Sequence, residues 1–191
     1  MQEFLDDVEQ EIMESILVKE QTLKLAPTIA KTAKIVVDSY KKGGKLVIFG
    51  NGGSASDAQH IVGELVNKFH LDRPMLNALA LTVNTSVLTA IGNDLSYDEV
   101  FSRQIENLVD ERDVVIGLST SGNSKNVIKG IEAAKKRGSI TVAMTGHSGG
   151  KIKDLPDILL NVPSASTPRI QEAHITIGHI ICALVERELF G

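Results

Sequence analysis

The sequence predicts an α/β fold in which five parallel strands form a sheet between two layers of helices. Short β-branched runs alternate with helical patterns along most of the chain, and these runs are apolar throughout, which is typical of strands buried on both faces. Two loops rich in glycine or serine each follow a strand and precede a helix. With 191 residues, 42% of them hydrophobic, the chain can bury one sizeable core, so we expect one domain over residues 1–191.

Residues 1–43 are predicted to form a helical hairpin ahead of an α/β core over residues 44–191. The apolar positions of the first helix, over residues 2–24, follow a helical spacing: Leu5, Val8, Ile12 and Ile16. Pro27 suits the first turn of the second helix, and Gly43 and Gly44 end it. Neither helix connects two strands, so we expect their spare apolar surface to pack against another subunit. The alternative is that both helices cover the chain's own sheet.

The elements of the core follow in chain order. Strands are predicted over residues 45–49, 75–83, 113–118, 140–144 and 158–162. Three helices are predicted over residues 85–91, closed by Gly92-Asn93-Asp94, over 96–109, where Ser96 and Glu99 form a capping box, and over 125–137. The last helix is predicted over residues 167–189, with Thr167 as N-cap and Pro168 as its first residue.

A glycine turn, Gly50 to Ser54, follows the first strand and leads into a helix that Ser54 and Asp57 are predicted to start. Backbone N–H groups at such a turn, together with the helix dipole, form an anion site. One turn further along the helix, His60 and Glu64 share a face. Glycine turns also occur for geometry alone, and such a pair is often only solvated. A dinucleotide site is disfavoured because the next strand ends in Asn84 and not in an acidic residue.

A second loop, over residues 119–124, carries four hydroxyl groups in six residues and no basic side chain. Neutral donors at a helix N-terminus can hold a phosphate group. The alternative is that these residues make ordinary turns and caps. Because both loops follow parallel strands, we expect them at the same edge of the sheet, where such folds bind ligands.

The last helix carries four polar residues among its core positions: Gln171, Glu172, His174 and His179. Gln171 and His179 are eight residues apart, about 12 Å along the axis and about 80° around it. Spacing alone therefore favours Gln171 with His174. Gln171 and His179 could share an ion only if it lay between them or if they came from different subunits. The alternative is that these four are ordinary surface polar residues, with one histidine partly buried.

Composition excludes several classes of function. A net charge of −4 and 4% aromatic residues argue against a nucleic-acid partner. The single cysteine, Cys182, excludes an intrachain disulfide and suits a reducing compartment. The N-terminus is acidic where a signal peptide would be basic, and no apolar run has the length of a membrane span. We expect a cytoplasmic protein without a membrane partner.

The motifs FGNGGSASDAQH-x3-E, GND, LSTSGNS and RIQEAH-x4-H together resemble the phosphoheptose isomerases of the sugar isomerase (SIS) family, over essentially the whole chain. The resemblance implies a flavodoxin-like SIS fold assembled as a homotetramer, with active sites between subunits. It implies one zinc ion per subunit, held by His60, Glu64, Gln171 and His179, and so favours His179 over His174. The implied substrate contacts are Asn51, Gly52, Gly53, Ser54, Glu64, Asn93, Asp94, Ser119, Thr120, Ser121, Ser124 and Gln171.

The activity implied by the resemblance is conversion of sedoheptulose 7-phosphate into D-glycero-D-manno-heptose 7-phosphate, the first step of ADP- or GDP-heptose biosynthesis. Such a reaction moves a proton between adjacent carbons through an enediolate, with Glu64 as base and His179 as acid. The ligand set suits zinc and leaves other divalent ions open. The alternative is a non-catalytic relative that senses a phosphosugar or binds the replication initiator DnaA. That relative lacks the carboxylate at 64 and the imidazole at 179, so this chain is favoured as an enzyme.

Overall fold

The computed structural model describes residues 1–191 and contains one parallel sheet of five strands. The strands are β1 (Leu46–Gly50), β2 (Ala78–Ala80), β3 (Val114–Ser119), β4 (Ile140–Thr145) and β5 (Ile158–Asn161). Their order in the sheet is β2-β1-β3-β4-β5. The order therefore reverses between β1 and β3, which opens a crevice at the carboxyl ends of these two strands. The predicted α/β class is confirmed.

Seven α-helices surround the sheet: α1 (Gln2–Thr22), α2 (Ala26–Lys41), α3 (Gly53–Val66), α4 (Thr85–Asp94), α5 (Ser102–Leu108), α6 (Lys125–Lys136) and α7 (Thr167–Phe190). Side chains of β1 alternate between the two faces of the sheet. Leu46 and Ile48 join a cluster of 25 buried residues with α2, α3 and α7, whereas Val47 and Phe49 join 13 buried residues with α5 and α6. The three-layer arrangement follows directly from this two-sided burial.

The two N-terminal helices differ in what they cover. Helix α2 begins with proline in its first turn, as predicted, and buries Ile29, Ala33 and Val36 in the core beside α7. Helix α1 contacts α7 but leaves its apolar positions exposed: Leu5, Val8, Ile12 and Ile16 are 43–56% accessible. Helix α2 therefore covers the chain's own sheet, whereas the apolar stripe of α1 remains exposed.

Several predicted boundaries are wrong. The second strand was expected over 75–83 but contains only three residues, because Leu76 bonds back to the end of α3 through Leu65 O (3.1 Å) and leaves Met75 exposed. Helix α4 continues through Gly92-Asn93-Asp94 instead of ending before them. Ser96 does cap a helical segment, but this is a 3₁₀ turn over Tyr97–Glu99, and α5 begins only at Ser102.

The predicted helix starts also need correction. Ser54 and Asp57 do not cap α3; its N-cap is Gly52, whose φ of 56° lies in the left-handed region that glycine adopts readily. The last helix begins as expected near Pro168, but Ser166 and not Thr167 is its N-cap. No helix of the chain is both long enough and apolar enough to cross a membrane.

Candidate active site

The two polar loops lie side by side at one edge of the sheet. β1 and β3 are hydrogen-bonded in parallel register from Leu46↔Val114 to Gly50↔Leu118, so the loops that follow them meet at the same edge. Each loop leads into the N-terminus of a helix, α3 or α6, where the first backbone N–H groups have no partner within the helix. The edge therefore presents two adjacent helix N-termini, an arrangement suited to an anion.

The glycine turn before α3 is closely packed. Gly52 and Gly53 are exposed, whereas Ser54 is only 3% accessible and lies under the turn. A Cβ atom at Gly53 would collide with the side-chain amide of Gln171, which reaches this turn from α7. The turn thus combines exposed backbone with a neighbouring amide, and Gly53 is the residue that permits their close approach.

The hydroxyl loop, residues 119–124, is fixed by hydrogen bonds within it and with the loop that follows β4. Ser119 Oγ donates to Ser124 Oγ (3.1 Å), and Asn123 N donates to Ser121 Oγ (3.1 Å). The loop after β4 supports it, because Gly146 N donates to Thr120 O (2.9 Å) and Ile152 N to Gly122 O (3.1 Å). The exposed Ser121 and the partly exposed Thr120 and Ser124 are therefore presented to the crevice by a fixed backbone.

A triad of possible metal ligands lies further along α3. His60 Nε2 lies 3.0 Å from Glu64 Oε1 and 3.3 Å from His179 Nε2. One ligand atom from each of the three residues lies within 4.8 Å of the others. The Phe69 ring stacks on the His179 ring with centroids 5.5 Å apart. His60 is exposed, and the other two are partly buried. The three side chains come from α3 and α7 of the same chain.

Comparison with known proteins identifies the family to which this chain belongs. A family model described as the SIS domain matches residues 9–146. The chain is also 54% identical to phosphoheptose isomerase 2 of Campylobacter jejuni over 181 residues, which cover 93% of this chain and 90% of that protein. The chain belongs to the phosphoheptose isomerase family of SIS-domain proteins.

Solved structures of phosphoheptose isomerases agree with the fold. The one from Francisella tularensis superposes with a TM-score of 0.93 at 36% identity, covering 96% of this chain and 98% of that one. The one from Neisseria gonorrhoeae superposes with a TM-score of 0.91 at 42% identity, covering 96% and 99%. The resemblance that the motifs indicated is therefore confirmed, both for the phosphoheptose isomerase family and for its SIS fold.

The donor set of the triad fits zinc, the metal that the motifs of the phosphoheptose isomerase family imply. Zinc binds imidazole nitrogen at about 2.0–2.1 Å in a tetrahedral site, which puts neighbouring ligand atoms about 3.3 Å apart. Two separations are close to this value: 3.3 Å between the Nε2 atoms of His60 and His179, and 3.0 Å between His60 Nε2 and Glu64 Oε1. Two imidazoles and a carboxylate are typical zinc ligands.

The structure separates the two histidines of α7, and the preference for His174 from helical spacing was wrong. His174 is fully buried, and its Nε2 lies 3.2 Å from Thr145 O at the end of β4. Burial lowers the pKa of His174 to about 4, with the hydrogen bond to Thr145 opposing this. His174 is therefore a neutral ring that joins α7 to the sheet. The side-chain amide of Gln171 lies against Gly53 at the first turn of α3.

Asn93 and Asp94, predicted substrate contacts, are exposed in the last turn of α4, where Asn93 Nδ2 donates to Asp94 Oδ1 (2.8 Å). Their link to the edge of the sheet is Tyr97, three residues further on, whose hydroxyl donates to Asn51 Oδ1 (3.2 Å). The end of α4 therefore approaches the glycine turn from the side opposite α7.

Two residues near the site were missed. Asn126, in α6 and 3% accessible, forms reciprocal amide hydrogen bonds with Asn51 at 2.8 and 2.9 Å, which join the two loops. Asp57, expected to cap α3, is instead partly buried within it, and its Oδ2 is buried without a partner. Burial raises the pKa of the Asp57 carboxyl, and His60 opposes this. No local pattern marks Asn126, because its partner is 75 residues away.

Proposed function

We propose that this chain is an isomerase that converts sedoheptulose 7-phosphate into D-glycero-D-manno-heptose 7-phosphate through an enediolate. The observation that carries the proposal is that His60 and Glu64 of α3 converge with His179 of α7, and the N-terminus of α3 forms half of the anion cradle. A proton-transfer centre and a phosphate cradle that share helix α3 suit a phosphorylated sugar. The names of the relatives in Campylobacter jejuni and Francisella tularensis support the same substrate class.

Zinc would be held by His60, Glu64 and His179, one ion per subunit, with Gln171 as the fourth ligand that the family motifs imply. When bound, it would act as a Lewis acid that polarises the sugar carbonyl and offsets the negative charge of the enediolate. Gln171 lies near the cradle in this structure. Its place among the ligands rests on the motif resemblance.

Glu64 is proposed as the base that moves the proton between the two carbons. One carboxylate oxygen faces His60 at 3.0 Å, and a carboxylate bound to a metal is a weaker base. The Glu64 oxygen that does not face His60 is therefore the one that takes the proton from one carbon and returns it to the other. His179 is proposed as the acid for the sugar oxygens. The stacked Phe69 ring limits the orientations of the His179 imidazole and removes water from one of its faces.

The phosphate group would lie at the two helix N-termini. The neutral donors of both loops would hold it. The proposed contacts with the substrate as a whole are Asn51, Gly52, Gly53, Ser54, Glu64, Asn93, Asp94, Ser119, Thr120, Ser121, Ser124 and Gln171. Neutral donors and helix dipoles bind a phosphate without a basic side chain. Ser54 is nearly buried and its backbone N–H already donates to Asn51 O (3.0 Å), so its hydroxyl is the group left to contact the substrate.

A homotetramer in the cytoplasm is proposed as the functional form. The apolar side chains of α1 are 43–56% accessible at Leu5, Val8, Ile12 and Ile16, which is more apolar surface than a solvated helix needs. Burying this stripe between copies would bring neighbouring chains to the edges of the site. The product would enter ADP- or GDP-heptose biosynthesis for cell-surface glycans such as lipopolysaccharide.

The test is turnover of sedoheptulose 7-phosphate by purified protein with zinc supplied, followed by NMR of the sugar. We expect an aldoheptose 7-phosphate, loss of activity with a chelator and recovery with zinc. Glu64→Gln should abolish turnover while phosphosugar binding persists, because the loops are unchanged. Glu132→Gln, a matched change at an exposed position of α6, should leave turnover unchanged.

Absence of turnover with zinc present would refute the enzymatic proposal. Phosphosugar binding by a protein that carries no divalent ion would then indicate a non-catalytic sensor. Capture of the replication initiator at wild-type strength by Glu64→Gln would indicate a regulatory module.

A further inference from the structure

Arg73 and Glu186 form the most buried ion pair of the chain. Arg73 Nε lies 3.0 Å from Glu186 Oε1, and each side chain is 2% accessible. Taking two charges out of water costs free energy that is recovered only when their remaining donors and acceptors are also satisfied. A pair retained at such depth therefore needs further partners.

Both charged groups have those partners. Glu186 accepts hydrogen bonds from His70 N (2.7 Å) and Phe69 N (3.2 Å). Burial raises the pKa of Glu186, yet these backbone donors and Arg73 outweigh it and hold the pKa below its ordinary value. Arg73 donates to Leu65 O (2.7 Å), Glu64 O (2.9 Å) and two further carbonyls. The guanidinium thus satisfies carbonyl groups that the end of α3 leaves without a helical partner.

The pair joins the two helices that carry the triad. Arg73 holds the last turn of α3, including the backbone carbonyl of Glu64 itself. Glu186 belongs to α7, seven residues and about two turns after His179. The loop residue Phe69 completes the link, because its N–H donates to Glu186 while its ring stacks on His179.

We propose that the Arg73–Glu186 pair is a positioning device that fixes Glu64 relative to His179 and sets the Phe69 ring on the His179 imidazole. Both side chains are almost fully buried, so the pair would act through the residues it contacts. The inference rests on the proposed function only in taking the triad as the reacting centre. An ion pair that served stability alone could stand anywhere between the two helices, whereas this one contacts the backbone of one triad residue and the ring support of another.

The test compares Arg73→Lys with Arg103→Lys in the full chain. Arg73→Lys keeps the charge but cannot reach all the acceptors that Arg73 binds. Arg103→Lys makes the same change in an exposed pair with Glu106 on α5. Ile131→Val, in the core on the opposite face of the sheet, supplies a variant that is destabilised without contact with the pair. Glu186→Gln removes the charge from the other side.

Two measurements separate positioning from stability. In the metal-free protein, NMR resonances of the His60 and His179 rings should shift or broaden in Arg73→Lys and Glu186→Gln, and stay unchanged in both controls. Zinc affinity, measured by competition with a chromophoric chelator, should fall about tenfold or more, as is usual when a residue supporting a metal ligand is lost. The controls should bind zinc as the wild type does.

Unchanged ring resonances and zinc affinity in a folded Arg73→Lys protein of lower melting temperature would overturn the inference, since the pair would then only stabilise the fold. If Arg73→Lys does not fold, Glu186→Gln decides by the same measurements. A wild-type chain without zinc binding or turnover, whose ring resonances still respond to Arg73→Lys, would refute the proposed function and support the positioning role.

Discussion

Replacing Asn126 by alanine tests whether the two loops act as one unit. Asn126 Nδ2 donates to Asn51 Oδ1 at 2.8 Å, and Asn51 Nδ2 donates to Asn126 Oδ1 at 2.9 Å. Asn126 is 3% accessible, so alanine in its place removes both bonds and leaves a small polar cavity under the crevice. The Asn51 side chain would keep only its bond from Tyr97.

The magnitude follows from these bonds. Each hydrogen bond contributes about 0.5–1.5 kcal/mol net, so losing both should lower the free energy of unfolding by about 1–3 kcal/mol. Because Asn51 is only partly buried, its amide can bind water again, which favours the lower half of that range. For a chain of this length, 1 kcal/mol corresponds to about 2–4 °C in melting temperature. We therefore expect a fall of about 2–8 °C.

The assay is thermal unfolding followed by circular dichroism, with KM for the phosphosugar measured in parallel. KM should rise several-fold while kcat changes little, because Asn51 lies in the cradle and not in the triad. Asn107→Ala, the same change at an exposed asparagine of α5, is the matched control and should leave both quantities unchanged. Melting temperature and KM both equal to wild type in Asn126→Ala would refute the reasoning.

Three further predictions concern the triad, the glycine turn and the buried His174. Mixing Glu64→Gln with His179→Ala should restore no activity after confirmed subunit exchange, because both residues converge within one chain; recovery near a quarter of wild type, expected for a site divided between chains, would contradict this. Gly53→Ala should weaken phosphosugar binding, measured by calorimetry, because the new Cβ displaces the Gln171 amide; unchanged affinity would show that the amide moves freely. Burial holds the pKa of His174 at about 4 against an ordinary 6.5, so the unfolded chain binds more protons between these values. Stability should therefore fall by about 3 kcal/mol as the pH drops from about 6.5 to about 4, and urea denaturation of His174→Gln should lack this dependence if the assignment is right.

Local patterns were sufficient to predict the sheet and the loops. The strands were identified because parallel strands buried on both faces require apolar runs, and the loops at 50–54 and 119–124 because a strand leading into a helix requires a turn. The parallel topology alone predicted that both loops lie at the same edge of the sheet, because the carboxyl ends of parallel strands meet there. Predicted helix ends were less accurate where a glycine replaced a side-chain cap, as Gly52 does at α3.

Local patterns could not predict contacts between distant segments, and only the family motifs brought His60 and His179 together. Helical spacing favoured His174 over His179 because it compared positions on one helix, while the deciding contact comes from His60, 119 residues away. The Arg73–Glu186 pair spans 113 residues, and nothing near either residue marks it. The sequence also left open whether α1 and α2 cover the sheet, because both helices carry apolar stripes. Only the packing shows that the stripe of α2 is covered and that of α1 is not.

Helix α7 contributes two residues to the candidate site and fixes the spacing between their backbones. It places Gln171 beside the glycine turn and His179 in the triad, and a helix fixes these two positions about 12 Å apart along its axis. An α-helix cannot stretch or shorten to follow a substrate. Gln171 and His179 can therefore approach one ion only through the reach of their side chains, and such a movement of Gln171 would free the space beside Gly53 that its amide now fills.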